Sequence, residues 1–151
     1  MTVGDLCTRE VVVTDGDLPI QDAARLMRDR HVGNVVLVER RPDGSAVPKG
    51  VITDRDLVVG VLALDLEHIA GLKVRDMVTA PVVTSKADVS LAEAIATMTA
   101  NGVRRLPVVD SSGALVGILT ADDVYEALAE QLSLVASVAT YQQRRERRSR
   151  K

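Results

Sequence analysis

Two stretches of the chain carry residue types that could do chemistry, Gly50-Val-Ile-Thr-Asp-Arg-Asp56 and Gly117-Ile-Leu-Thr-Ala-Asp-Asp123. Each runs glycine, two apolar residues, threonine and, three residues on, aspartate. Where a buried strand turns into a helix, the helix's first N–H groups lack intrahelical partners and its dipole is positive, so an anion is favoured there. A hydroxyl from Thr53 or Thr120 can complete the hydrogen bonds of a phosphate. A carboxylate in the first helical turn, Asp56 or Asp123, is placed to accept from vicinal hydroxyls, as acidic residues do for ribose in dinucleotide folds. Thr-x-x-Asp is also close to a capping box, so a helix start explains it without any ligand. Both readings stay open at this point.

The two stretches are copies, and so is most of the chain around them. Sliding residues 3–39 by 71 positions onto 74–110 matches ten of 37 residues, among them Val3/Val74, Asp5/Asp76, Asp17/Asp88, Met27/Met98 and Val38/Val109. The offset then falls to 67, because the loop 40–49 is four residues longer than 111–116. A period near 70 is too long for the common solenoids, which points to two copies packed face to face with a pseudo-two-fold axis and two related clefts.

The elements that must position the motifs recur in each copy. Short β-branched runs at 11–13 and 82–84 come first. Helices follow, with Ile20, Ala23, Ala24 and Met27, and Leu91, Ala94, Ile95 and Met98, at i, i+3, i+4, i+7. Ser90 with Glu93 makes a capping box for the second helix, and Pro19 suits the first turn of the other. Apolar strands are expected at 35–38 and 106–109, then at 47–52 and 114–119, each later strand ending at its threonine. Helices at 54–64 and 121–132 close the copies, the last running on toward Gln143, and Gly71 is a break in the 65–73 linker. The fold class is therefore α/β (α+β), with β-α-β-β-α per copy.

Composition bounds the function. With 46% hydrophobic and 26% charged residues in 151, the chain can bury a real core. A single cysteine, Cys7, excludes an internal disulfide and a multi-cysteine zinc site, and it reads as a small buried apolar residue. His31 and His68 are isolated imidazoles, so no metal is expected. Phe and Trp are absent and only Tyr125 and Tyr141 are aromatic, which removes a base-stacking platform for single-stranded nucleic acid. With no signal-like start and no long apolar run, the expected address is the cytoplasm, without a membrane span. Residues 144–151 carry six basic groups and one acidic, net +5, so residues 1–143 carry −7 of the total −2.

The whole repeat resembles a cystathionine β-synthase (CBS) domain, and the tandem resembles a CBS pair, or Bateman module. The likeness rests on the two glycine-to-aspartate motifs, on Val103-Arg-Arg-Leu-Pro-Val-Val-Asp110, and on the leads Val3-Gly-Asp-Leu and Val74-Arg-Asp-Met-Val-Thr-Ala-Pro-Val. The expected organisation is repeat one at 3–64, the linker 65–73, repeat two at 74–132, and a helical extension with the basic tail at 133–151. The resemblance implies two repeats packed sheet to sheet. It also implies a regulatory module without catalytic chemistry, binding AMP, ADP, ATP, NAD or S-adenosylmethionine between the copies, and pairing as a homodimer. Carried over by motif position, cleft one uses Val11, Val12, Thr53, Arg55 and Asp56 with Arg104 and Arg105. Cleft two uses Val82, Val83, Thr120 and Asp123 with Gly33 and Asn34.

The clefts should be unequal. Charge-assisted contacts to phosphate are roughly twice as strong as neutral ones, and cleft two has Gly33-Asn34 where its twin has Arg104-Arg105, and Asp122 where its twin has Arg55. Cleft one is thus the expected phosphate-tolerant site. Two other classes compete with a nucleotide sensor acting on an unknown effector protein. One is an unliganded dimeric scaffold; the other is polyanion association through the tail, which the acidic body opposes. An enzyme has least support, because Asp54/Asp56 and Asp122/Asp123 diverge from a helix start with no nucleophile and base beside them.

Overall fold

The computed structural model describes residues 1–63 and 69–149. His68 and the first part of the expected linker lie outside the described residues. Repeat one comprises a short lead helix α1 (Val3–Leu6), β1 (Val13–Thr14), α2 (Ile20–Arg30), β2 (Asn34–Arg40), β3 (Ala46–Thr53) and α3 (Asp54–Leu57), which a π-helical turn continues over Val58–Leu62. Repeat two comprises the lead helix α4 (Val74–Met77), β4 (Ser85–Lys86), α5 (Leu91–Asn101), β5 (Arg105–Val109), β6 (Leu115–Thr120) and α6 (Ala121–Ser149). Each repeat forms a three-stranded sheet, ordered β1-β2-β3 and β4-β5-β6, with the first pair parallel and the second antiparallel.

Three apolar clusters hold these layers together. Ile20, Ala23 and Met27 of α2 pack with Val35, Leu37 and Ile52 on the outer face of the first sheet. Leu91, Ala94 and Met98 of α5 pack with Leu106, Val108 and Leu119 on the second. Between the sheets lie Val36, Val38 and Ile118, joined by Val11, Val13, Val51 and Leu115. The helix periodicity is realised except at Ala24, which is exposed, and Ser90 caps α5 as expected, its hydroxyl accepting from the Glu93 N–H while Glu93 accepts in return from Ser90. Pro19 takes the N-cap position and not the first turn, because the Ile20 N–H is used elsewhere, donating to Leu72 O at 3.0 Å.

The leads are exchanged. Val3 and Gly4 N–H donate to Val89 and Ala87 of repeat two, at 2.9 and 2.8 Å, and Cys7 is buried in the repeat-two core. Val74 and Arg75 N–H donate to Leu18 and Gly16 of repeat one, at 3.0 and 3.1 Å. Val3 and Val74 are both fully buried in the other copy, and burying a valine side chain is worth about 1.5–3 kcal/mol. The glycine of each motif makes the seat. A Cβ on Gly50 would stand 2.5 Å from a Val78 methyl, and one on Gly117 would stand 2.6 Å from Cys7 Sγ and 2.9 Å from Thr8 O. Asp17 pins α4 from outside, accepting from Lys73 Nζ at 2.8 Å and Arg75 Nη2 at 2.6 Å. The hydrogen bond from Lys73, then the charge of Arg75, hold the Asp17 carboxyl below its usual range.

This exchange corrects the first strand of each copy. Residues 11–12 and 82–83 are not strands; pairing begins only at Val13 and Ser85. The preceding residues are spent crossing from the copy that holds the lead back to the sheet of their own repeat, and they contribute single bonds such as Val36 N–H to Val12 O at 2.9 Å. The last helix also departs from expectation. It continues unbroken to Ser149, well past Gln143, so the expected boundary at 132 falls inside it. Nothing in 133–149 stops a helix, because the stretch has no Gly or Pro and its four arginines are good helix formers.

Candidate ligand cleft

Thr-x-x-Asp is a closed capping box in both copies. Thr53 N and Oγ1 donate to Asp56 Oδ2, each at 2.8 Å, and the Asp56 N–H donates back to Thr53 Oγ1 at 3.2 Å. Thr120 and Asp123 repeat the pattern at 2.7, 2.7 and 3.2 Å. The cap uses Oδ2 only. Among the described residues Asp56 Oδ1 has no hydrogen-bond partner, so the capping reading and a hydroxyl-accepting role are compatible on one side chain.

The expected anion site on the helix N–H groups is corrected. At α3 those donors are taken, with Asp54 N–H on Gly33 O at 3.1 Å, Arg55 N–H on Asp54 Oδ1 at 2.8 Å and Asp56 N–H on the Thr53 hydroxyl. Any phosphate at this place must be met by side chains. Three guanidinium groups stand there. Arg55, Arg104 and Arg105 line an open cavity of about 430 Å³ together with Thr53, Asp54 and Asp56. Within the lining the three cations face the carboxylates of Asp54 and Asp56, and Asp122 pairs with Arg104 from beside the cavity. Arg104 Nη2 donates to Asp122 Oδ1 at 3.4 Å, a long and exposed ion pair. Arg105 is half-buried, and among the described residues its buried Nε has no hydrogen-bond partner, a donor whose desolvation is uncompensated until something accepts from it.

A second, narrower cavity of about 220 Å³ shares Val51, Asp56, Val103 and Arg105 with the first, and the two make one bilobed cleft. Its apolar side chains come from Val51 of β3, Val103 just before β5, and Met77, Val78, Pro81, Val82 and Val83 of the repeat-two lead, with Asp56, Thr79 and Arg105 as polar neighbours. The smaller lobe thus offers aliphatic walls, Asp56 and Arg105 lie at the junction, and Arg55 and Arg104 line the outer lobe.

The structure therefore brings Thr53, Arg55, Asp56, Arg104 and Arg105 together. It does not bring Val11 and Val12 to them; Val82 and Val83, expected in cleft two, line this cleft instead. The reason is the lead exchange, which carries residues 78–83 across repeat one before they reach their own sheet. Gly33 also sits beside this cleft, since a Cβ there would stand 3.3 Å from Asp54 Oδ2 and 3.5 Å from Arg105 Nη2. Asn34 pairs with Thr53 in the sheet. Sequence reasoning missed Val51, Val103 and the stretch 77–81. The signal was the motif glycine, whose missing side chain marks where a second segment must press close.

In the other copy the lead is bonded to β6, the strand that ends at Thr120. Thr8 and Ile118 exchange backbone hydrogen bonds, both 2.9 Å, and Arg9 staples the lead by donating to Val116 O and Gly4 O at 3.3 and 2.8 Å. No such bond joins Thr79 to Val51. In the repeat-two lead the positions of Arg9 and Glu10 are Ala80 and Pro81, which offer no staple and one fewer N–H.

The family model of the CBS domain matches residues 3–62 and 74–130. This chain belongs to the CBS domain family. It holds two CBS domains in tandem, and the helical extension past residue 130 lies outside the match. The chain is 33% identical to an uncharacterized protein of Methanopyrus kandleri, over 83% of this chain and 62% of that protein, so it spans less than two thirds of that relative's length. It is 32% identical to the CBS domain-containing protein YhcV of Bacillus subtilis, over 82% of each. Among solved structures, CBSX2 in complex with AMP superposes with a TM-score of 0.68 at 29% identity, covering 87% of this chain and 98% of that one. The cytosolic domain of the Mg2+ channel MgtE in complex with ATP superposes with a TM-score of 0.67 at 27% identity, covering 83% and 48%. Among the described residues of this CBS pair, no helix is long and apolar enough to cross a membrane and no His, Cys, Asp and Glu cluster could hold a metal ion.

Proposed function

We propose that this CBS pair is a regulatory module, without catalytic chemistry of its own, that binds one adenosine nucleotide in the bilobed cleft and passes the change to a partner. The observation that carries this reading is the convergence on one cleft of an unused Asp56 carboxylate oxygen, an unpartnered buried Arg105 Nε and an aliphatic slot. In this assignment the base lies between Val51, Val82 and Val83. Asp56 accepts from the ribose hydroxyls, and Arg55, Arg104 and Arg105 meet the phosphates. The AMP and ATP complexes of related CBS pairs support the ligand class. The bonding of Thr8 to Ile118 supports a single dominant site. A ligand shifts such a module only by binding two of its states unequally, so affinity and signalling are separate questions.

The test is isothermal titration with AMP, ADP, ATP, NAD and S-adenosylmethionine. A hydrogen bond to a charged group is worth about 1.5–3 kcal/mol, so Asp56→Asn is expected to weaken binding about ten- to a hundredfold while keeping the cap. Asp123→Asn leaves binding unchanged, and Arg105→Ala weakens ATP more than adenosine. Two equally tight ATP sites would overturn the one-cleft assignment. No heat and no thermal shift with any of the five would favour an unliganded scaffold.

A further inference from the structure

The last helix outlasts the body it springs from. Its first turns bury Val124 and Ala127, and Gln131 still reaches the body, its Nε2 donating to Met1 Sδ at 3.7 Å. From Leu132 to Ser149 every side chain is exposed except the half-buried Ser137. The arginines at the end therefore stand clear of the molecule. At 1.5 Å per residue, Arg144 lies about 20 Å further along the axis than Gln131, and Arg148 about 26 Å. Exposed charges are largely screened beyond about 8 Å at physiological ionic strength. The acidic body opposes a polyanion on composition alone, but its last contact with the rod lies more than two screening lengths before the first arginine. Residues 131–143, between them, carry no charge at all.

The arginines share a helix face with hydroxyls. Ser133, Ser137, Thr140, Arg144, Arg147 and Arg148 recur at three- and four-residue steps, with Tyr141 and Arg145 beside them. Among the described residues none of Arg144, Arg145, Arg147 and Arg148 makes an ion pair. Guanidinium and hydroxyl groups are the side chains that contact phosphate and sugar along a nucleic acid. On the opposite side the arginine-bearing turns hold Gln142, Glu146 and Ser149, so they have no apolar surface to enter the acyl boundary of a bilayer. We propose that the free end of α6 docks in the major groove of double-stranded DNA, with the hydroxyl and arginine face turned to the duplex and Glu146 turned away. The dimensions agree: a helix with its side chains is about 10–12 Å across, and the major groove of B-form DNA is about 12 Å wide. The deep, narrow major groove of an RNA duplex does not admit such a rod.

The test is fluorescence anisotropy of the full chain with a labelled DNA duplex, beside an RNA duplex of the same length and co-sedimentation with phosphatidylserine vesicles. DNA is expected to bind most tightly, and less tightly as salt rises. The logarithm of the binding constant falls with the logarithm of salt by about 0.9 per phosphate neutralised, so Arg144→Ala with Arg148→Ala is expected to flatten that slope by about 1.8. Replacing all four arginines by alanine should abolish binding. Alanine keeps the helix, and circular dichroism and thermal unfolding check that the variants are folded. A charge-matched comparison reads the face: Ser133→Glu with Thr140→Glu should weaken DNA binding severalfold more than Val135→Glu with Gln142→Glu. The proposal is overturned by no DNA binding at low salt, by a salt slope indifferent to the arginines, by equal losses in the two charge-matched pairs, or by RNA duplex or vesicles binding as tightly as DNA.

Discussion

The two clefts of this CBS pair have the same capping box, the same glycine seat and nearly the same strands, yet one is an open bilobed cavity and the other is crossed by a hydrogen-bonded lead. The difference lies in two residues of a connecting segment. The first lead joins β6 as an extra bridge at Thr8, with the Arg9 guanidinium tying Val116 and Gly4 together. Ala80 and Pro81 cannot do this, so the second lead stands off from Val51 and its valines become a wall. Duplication alone thus does not give two sites. What separates them is whether the crossing chain spends its backbone bonds on the cleft floor.

That contrast can be broken at its glycines first. Gly117→Ala drives a Cβ against Thr8 O and Cys7 Sγ, and overpacking of this kind costs about 1–3 kcal/mol. Thermal unfolding should fall by several degrees, at about 2–4 °C per kcal/mol for a chain of this size. Gly50→Ala meets both methyls of Val78 at 2.5 and 2.7 Å and its Cβ at 3.2 Å but no backbone atom, and is expected to cost less. Equal losses at both glycines would mean that the two seats are alike.

Exchanging the crossing residues sharpens the comparison further. Ala80→Arg with Pro81→Glu gives the second lead the staple of the first and is expected to reduce nucleotide affinity about tenfold, the equivalent of 1.4 kcal/mol. Arg9→Ala in the other lead should loosen Thr8 from Ile118, seen as faster amide hydrogen exchange at those two residues and not at Val51. Affinity untouched by the double substitution would remove the crossing segment from the account.

The smallest effect is electrostatic. Asp17, whose carboxyl is held low by Lys73 and Arg75, contributes to seating α4 while it is ionised. A depressed folded-state value means this contribution is present above the unfolded value near 3.8 and is lost as the pH falls through the folded one. Asp17→Asn should therefore lower the unfolding temperature slightly at neutral pH, and the gap from the parent should close in strong acid. A gap that stays constant with pH would assign the effect to packing.

Much of this was legible in the residues. The repeat register placed the core strands and helices, because apolar periodicity reports burial directly, and Ser90 with Glu93 marked a helix start to the residue. The lead exchange was not legible. Both copies offer an almost identical seat, Gly50 or Gly117, and local pattern cannot say which of two equivalent seats a lead takes. That Val82 and Val83 line the cavity beside Asp56, where Val11 and Val12 were expected, follows from that single ambiguity. The full length of α6 is not legible for a different reason: the apolar pattern that marks a helix ends near Gln143, and the arginines beyond it carry no burial signal although they are good helix formers.

Because each lead is buried in the opposite copy, the two halves clasp one another independently of the segment that joins them. Cutting the backbone between residues 64 and 70 should leave a complex of two fragments and not two free domains. Neither fragment should hold its structure alone, since each would lack the lead that fills its own core. The covalent link serves mainly to raise the local concentration of partners that already interlock, and the working unit is the clasped pair.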